Sequence, residues 1–286
     1  MIYEHEIPTG SKLYFGESAR IKREIEQITS SILYKEDFEE IVTPFFSLHQ
    51  HGSIDERELI RFSNTDNQLL SLRADSTLDV VRLVTRRLGR ATDKKKWFYI
   101  QPIFRYPSEE KYQIGGEFIG KPNIELCVTS ISKVFEFFKI EPLLFMSNVK
   151  IPKIVSQILD IPFEDFENSD LEKVFLSEVD WLQKLIYIKD ENDIEDVIKI
   201  APKELKIELL KLKELASLIP YKNKVIEPLF YSKMRYYDSL FFSFVDGNQT
   251  LASGGSYTFE EEESAGFGIY IDDLIENIMK RNLEKI

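Results

Sequence analysis

The stretch from Leu69 to Gly120, LLSLRADSTLDVVRLVTRRLGRATDKKKWFYIQPIFRYPSEEKYQIGGEFIG, constrains the fold more than any other part of the chain. Leu69–Leu72 is short and apolar. Ser76–Leu88 spaces Leu78, Val81 and Val84 as a helix does, with Arg82 and Arg86 on other faces. Trp97–Phe104 has the aromatic and β-branched composition of a strand. Pro107-Ser108-Glu109-Glu110 signals a turn, and Tyr112–Ile119 returns as the second strand of a hairpin. Arg105 ends the first hairpin strand. Gln113, Gly115 and Glu117 share one face of the second by its period of two. An arginine and a carboxylate facing one another across a sheet make a structural ion pair or a site for a zwitterion such as an amino acid. These residues alone leave both open, and ion pairs are the commoner case.

Bulk properties narrow the partners. A chain of 286 residues suffices for one large domain or a domain with an insertion, and 43% hydrophobic residues can form a sizeable core. The net charge of −12 argues against a tRNA or DNA partner, because nucleic-acid affinity rests on neutralising phosphates. The basic runs at Arg82–Arg90 and Lys94–Lys96 read as a solvated helix face and a lysine-rich turn. Cys127, in the helical run Ile124–Phe138, reads as a small buried apolar residue; a single Cys makes no intramolecular disulfide. His49 and His51 have no ligand-spaced carboxylate before Asp55 and Glu56, so no metal is expected. Tyr3-Glu4-His5-Glu6 interrupts any signal peptide, and no apolar stretch is long enough to span a bilayer. The cytoplasm is the expected location.

In chain order, Glu17–Tyr34 reads as a helix capped by Ser18, with Ile21, Ile25, Ile28 and Ile32 at helical spacing. A strand, Phe38–Val42, stops at Pro44. Leu59–Phe62 and Leu69–Leu72 form a hairpin around Asn64–Asn67. After the helix Ile124–Lys139 and the strand Leu143–Val149, the texture turns helical. Leu171–Leu185 and Leu205–Leu218 carry leucines at three- and four-residue spacings. Leu215 and Leu218 either pack within this insertion, the commoner case, or belong to a partner-binding face. Strands are expected at Pro228–Tyr231, Tyr236–Asp246, Gln249–Ser253 and Gly266–Ile271. Gly254-Gly255 is expected to turn the backbone closely, Glu260–Glu263 to form a solvated turn, and Asp272–Asn282 to close as a helix. The expectation is an α+β fold, a mostly antiparallel sheet flanked by helices. Residues 1–150 and 226–286 would build it around a helical insertion, 151–225.

Phe104-Arg105-Tyr106, a loop, then Tyr112-Gln113-Ile114-Gly115-Gly116-Glu117 resembles motif 2 of class II aminoacyl-tRNA synthetases in its histidyl form, whose second strand usually reads HQ-x-G-x-E. The helix, strand and proline of 17–44 resemble motif 1, a homodimer element in that family. Arg73-Ala74-Asp75-Ser76-Thr77 lacks the Pro-Glu-Gly of the synthetases and instead resembles the regulatory subunits of ATP phosphoribosyltransferase, catalytically silent relatives of histidyl-tRNA synthetase. The resemblance spans roughly residues 10–283. It assigns Asp75, Arg105, Gln113, Glu117, Tyr237 and Tyr257 to an amino-acid pocket. There carboxylates would take an ammonium group, while tyrosine hydroxyls and a carboxylate would hold an imidazole.

Two departures bear on chemistry. Motif 3 normally ends Gly-x-Glu-Arg, and here Asp273 falls at the phosphate-binding arginine. The histidine-specific arginine falls on Ser232, with Lys233 and Arg235 beside it. Adenylation concentrates charge on a phosphate, and preorganised cations are its main catalytic tool. The synthetases also continue into an anticodon-binding domain that this sequence lacks, so tRNA charging is not expected. The resemblance thus implies a regulatory subunit without chemistry, cofactor or metal. It would act at the first step of histidine biosynthesis, as a homodimer within a hetero-octamer with the catalytic subunit, needed for activity and for feedback by free histidine. Two rivals remain: an amino-acid-activating enzyme that does not charge tRNA, favoured by Arg105, and a free-standing histidine-binding module.

Overall fold

The computed structural model describes residues 6–48, 54–120, 122–232 and 236–284. It divides into two compact units, Met1–Gly120 with Gly266–Ile286, and Lys121–Ala265. The expected boundaries at 150 and 225 are not those of the two units.

In the first unit, α1 (Gly16–Lys35) buries Ile21, Ile25 and Leu33 and leaves Ile28 and Ile32 half-exposed. Ser18 closes its start from within the first turn. The Phe15 amide donates to Ser18 Oγ at 3.1 Å, and that hydroxyl donates to the Phe15 carbonyl at 2.9 Å. The following strand is only β1 (Glu39–Glu40), parallel to β5 (Lys96–Arg105). A small sheet, in the order β2-β4-β3, holds β2 (Phe46–Ser47), β3 (Arg61–Ser63) and β4 (Leu69–Leu72). Asn64 makes the hairpin turn by accepting from the Asp66 and Gln68 amides at 3.0 and 2.9 Å. The helix α2 (Thr77–Arg86) then leads to β5.

β5 pairs antiparallel with β6 (Glu109–Phe118), from Arg105 opposite Glu109 to Lys96 opposite Phe118. Glu109 and Glu110, expected in the turn, are paired. The tip is held from outside: Ser108 Oγ donates to the Thr9 carbonyl at 2.5 Å, and the Glu110 amide to the Gly10 carbonyl at 3.0 Å. Gly10 has a φ of 92°, and a Cβ there would lie 2.9 Å from the Ser108 carbonyl oxygen, so glycine is required. The residues of β11 (Glu262–Tyr270) from Gly266 onward run beside β6, and α10 (Ile271–Leu283) closes the unit.

The second unit is also α+β. β10 (Gln249–Phe259) pairs antiparallel with β9 (Tyr237–Asp246), β9 antiparallel with β7 (Leu143–Asn148), and β7 parallel with β8 (Lys224–Ile226). β8 replaces the strand expected at Pro228–Tyr231, a segment of turn. Gly254-Gly255 lies inside β10 at an irregularity of register, not at its end. The turn after β10 puts Glu260 and Glu261 at φ 47° and 71°. α3 (Ile124–Phe137) buries Cys127. Six helices follow: α4 (Lys150–Leu159), α5 (Phe163–Glu167), α6 (Glu172–Phe175), α7 (Asp180–Ile186), α8 (Glu191–Ile200) and α9 (Lys203–Leu218). The leucine run 171–185 is therefore two short helices. α9 buries Leu205, Leu209, Leu212 and Leu215 and packs on β7 and β9 of its own unit. Asn148, wholly buried at the end of β7, donates to Glu208 Oε2 at 2.8 Å and fixes α9 there.

No helix among the described residues is long and apolar enough to cross a membrane. His49 and His51 lie outside the described residues. Among the described residues, no three of His, Cys, Asp and Glu are grouped to hold a metal ion.

Candidate functional site

The segment between β4 and α2 is pinned by Arg73, whose side chain is wholly buried. Its guanidinium donates to the carbonyls of Pro102 (2.7 and 3.1 Å), Thr43 (3.0 Å) and Pro44 (3.1 Å), and to Thr43 Oγ1 (3.0 Å). Burial holds its pKa down at about 10. This arginine joins the chain before β2 to β5 and fixes the backbone that presents Asp75, Ser76 and Thr77.

Asp75 is buried, and Oδ1 accepts from the Leu78 amide at 3.2 Å. Burial raises its pKa from 3.8 to about 6, against the pull of that bond and of the Arg105 charge. Across the hairpin, opposed residues share a face, so Trp97, Tyr99, Gln101, Ile103 and Arg105 lie with Glu117, Gly115, Gln113, Lys111 and Glu109. Glu117 is wholly buried and accepts from the Tyr99 hydroxyl at 3.3 Å. That hydroxyl is also 3.3 Å from Thr77 Oγ1. Gln101 donates to Ser76 Oγ at 3.0 Å and accepts from Thr43 Oγ1 at 3.2 Å. Gln113 is buried opposite Gln101. A Cβ on Gly115 would fall 2.1 Å from the Tyr99 phenol, and one on Gly266 would fall 2.0 Å from Glu117 Oε2. Both glycines leave room for the pair.

Arg105 and Glu117 do not face one another. Arg105 stands opposite Glu109, eight residues from Glu117 along β6, or roughly 26 Å at the usual strand rise. Its guanidinium donates instead to Glu58 Oε2 at 2.9 Å and to the Ala74 carbonyl at 3.4 Å. The ion pair exists, but its acid is Glu58. Tyr99, Thr77, Gln101 and Glu58 were not among the expected site residues. The alternation of Tyr99 and Gln101 along the strand face of Arg105 was the one signal for two of them.

Asp273 sits in the first turn of α10 beside Asp272. Burial raises its pKa, and the charges of Glu276 and Asp272 add to that. Asp272 accepts from the Tyr14 hydroxyl and, at 3.1 Å, from the Tyr112 amide. This helix start therefore holds carboxylates where an arginine was the family expectation.

In the second unit, Tyr237 and Tyr257 are buried and stand opposite one another on β9 and β10. The ring of Tyr236 packs against both, at 4.6 and 5.9 Å between centroids. Ser232 is buried; Lys233 and Arg235 lie outside the described residues.

The family model for Histidyl-tRNA synthetase matches residues 14–274. A solved structure of an ATP phosphoribosyltransferase regulatory subunit/histidyl-tRNA synthetase from Bacillus halodurans superposes with a TM-score of 0.82 at 18% identity, over 96% of this chain and 84% of that one. The fold is that of histidyl-tRNA synthetase-like α+β proteins. The chain is 45% identical to the ATP phosphoribosyltransferase regulatory subunit of Wolinella succinogenes, over 99% of both chains. It is 40% identical to that of Helicobacter hepaticus, over 98% of this chain and 100% of the relative. A histidine–tRNA ligase of Mesomycoplasma hyopneumoniae is 28% identical, over 97% of this chain and 76% of the ligase. The chain belongs to the ATP phosphoribosyltransferase regulatory subunit family.

Proposed function

We propose that this protein is the non-catalytic regulatory subunit of ATP phosphoribosyltransferase, acting in the cytoplasm at the first step of histidine biosynthesis. It would assemble as a homodimer with the catalytic subunit, in a hetero-octamer, and carry feedback by histidine. The observation that carries the absence of chemistry is Asp273. It is a half-buried carboxylate beside Asp272 and Glu276, at the position where the synthetases present an arginine to phosphate. A carboxylate there repels a triphosphate.

The histidine part rests on Asp75 and Glu117. Both are buried carboxylates that the family resemblance places in an amino-acid pocket, where a ligand ammonium would pair with them. Tyr237 and Tyr257 enter through the family resemblance, as partners of the imidazole, and Gln113 and Arg105 enter in the same way.

Two measurements test the proposal. The isolated protein should show no histidine-dependent exchange of pyrophosphate into ATP; exchange above a no-enzyme blank would make it an activating enzyme. Co-expression with the short-form catalytic subunit should yield a stable complex whose activity histidine inhibits. Calorimetry should then find histidine binding that weakens in Glu117→Ala. Failure to assemble would leave the free-standing histidine-binding module as the better reading.

A further inference from the structure

The second unit contains a cavity of about 440 Å³, bounded by the starts of α3 and α4, the last turns of α9 and the neighbouring ends of β9 and β10. This is within the range of small-molecule sites. Leu215, Leu218 and Leu240 contribute an apolar wall. Leu215 is buried, while Leu218 is about half-exposed, at 51%. These are the two leucines whose face the sequence left open.

The charges around it are of two kinds. Some are already engaged: Lys211 pairs with Glu208 at 2.9 Å, and Asp238 accepts from the Thr258 hydroxyl at 2.5 Å. Others are not: Lys150, Glu125, Glu214 and Glu263 line the same cavity and make no ion pair among the described residues. One ammonium, three carboxylates and a leucine wall complement a molecule with a carboxylate, an amine and an apolar side chain. Phosphorylated ligands fit poorly. Lys150 is the one unengaged cation among the described lining residues, and Glu125, Glu214, Asp238 and Glu263 would all repel a phosphate.

We propose that this cavity binds an apolar amino acid or a dipeptide of such residues. Its carboxylate would lie on Lys150, its amine on Glu214 and Glu263, and its side chain on Leu215, Leu218 and Leu240. The proposal does not depend on the histidine reading, although Tyr257 lines the cavity too.

The test is calorimetry on the full chain with leucine and with leucyl-leucine as probes, and with inorganic phosphate and ATP as controls. One probe should bind at millimolar concentration or below, and the controls should not. Lys150→Met should weaken binding by tenfold or more, as should Leu218→Asp at a position that tolerates polarity. Glu117→Ala should leave it unchanged. No heat with either probe overturns the proposal, and so does affinity unchanged in both cavity variants or binding of phosphate in place of the probes. Melting curves on the two cavity variants separate loss of the site from loss of fold. Because the histidine reading fails through Glu117→Ala and this one through Lys150→Met, the two failures are distinguishable.

Discussion

The Tyr99 hydroxyl stands 3.3 Å from Glu117 Oε1 and 3.3 Å from Thr77 Oγ1, so one phenol joins the hairpin to the loop that carries Asp75. Two residues along the same strand face, Gln101 joins Ser76 to Thr43. The two buried acids are thus held by neighbours that are themselves fixed. A ligand meeting them would find groups already in place, which would lower the ordering cost of binding.

Gly266→Ala should displace the Glu117 carboxylate, because the new methyl would lie 2.0 Å from Oε2 and 3.1 Å from the Gly116 carbonyl oxygen. Histidine affinity should fall at least tenfold, with a stability loss of about 1–3 kcal/mol. Gly268→Ala is the control, since nothing lies within 4 Å of a Cβ there. Calorimetry and urea unfolding on the two variants check this; equal effects would remove the steric argument.

Arg73→Met should cost about 3 kcal/mol or more, leaving the carbonyls of Thr43, Pro44 and Pro102 without their donor. Arg73→Lys should rescue little, since one ammonium cannot reproduce the guanidinium fork. Denaturant midpoints for the three proteins provide the measurement.

Asp75 gives a pH signature. Its folded pKa, about 6, lies above the ordinary 3.8, so the folded protein holds the proton more tightly. The stabilisation is complete below about 3.8 and is lost as pH rises through 6. Asp75→Asn should remove this slope and be more stable than wild type at pH 7, by at most about 3 kcal/mol. Asp272, Asp273 and Glu227 are also shifted upward by burial, so the informative curve is variant minus wild type between pH 4 and 8. A flat difference would mean that Asp75 is solvated.

Val42, Phe45 and Phe46 are 78%, 52% and 59% exposed, beside the strand that the motif 1 resemblance places at a dimer interface. An exposed apolar run is what the homodimer expected from that resemblance would cover. The wild type should have a dimeric mass by light scattering at micromolar concentration, and Val42→Glu with Phe46→Glu should halve it. A monomeric wild type would remove the dimer.

Local periodicity made much of this fold legible. The spacing of Ile21 and Ile25 located α1, and the aromatic run at Trp97 located β5, because both patterns follow from a face being buried. Register was not legible. Arg105 and Glu117 share the sheet face that alternation predicts, yet the short turn at 106–108 sets Arg105 against Glu109 and so against Glu58. Gly254-Gly255 read as a turn because glycine permits one. In β10 it instead allows the close approach of Leu240, whose carbonyl oxygen would lie 2.5 Å from a Cβ on Gly255. Of the site, Asp75 and Glu117 were visible by family pattern. Their supports Tyr99 and Gln101 act on residues far along the chain, and no local rule reaches that distance.

The hydrogen bond from Tyr14 to Asp272 closes a separation of 258 residues. It ties together the two separated stretches of the first unit, whose last strand segment and helix follow the whole second unit in sequence. The second unit is continuous in sequence, whereas the first is complete only when the residues of β11 from Gly266 onward and α10 have joined 1–120. The buried Glu117 must then wait for Gly266 to arrive beside it. A truncation that removes only α10 would therefore leave the earlier-made segment 1–120 unfinished.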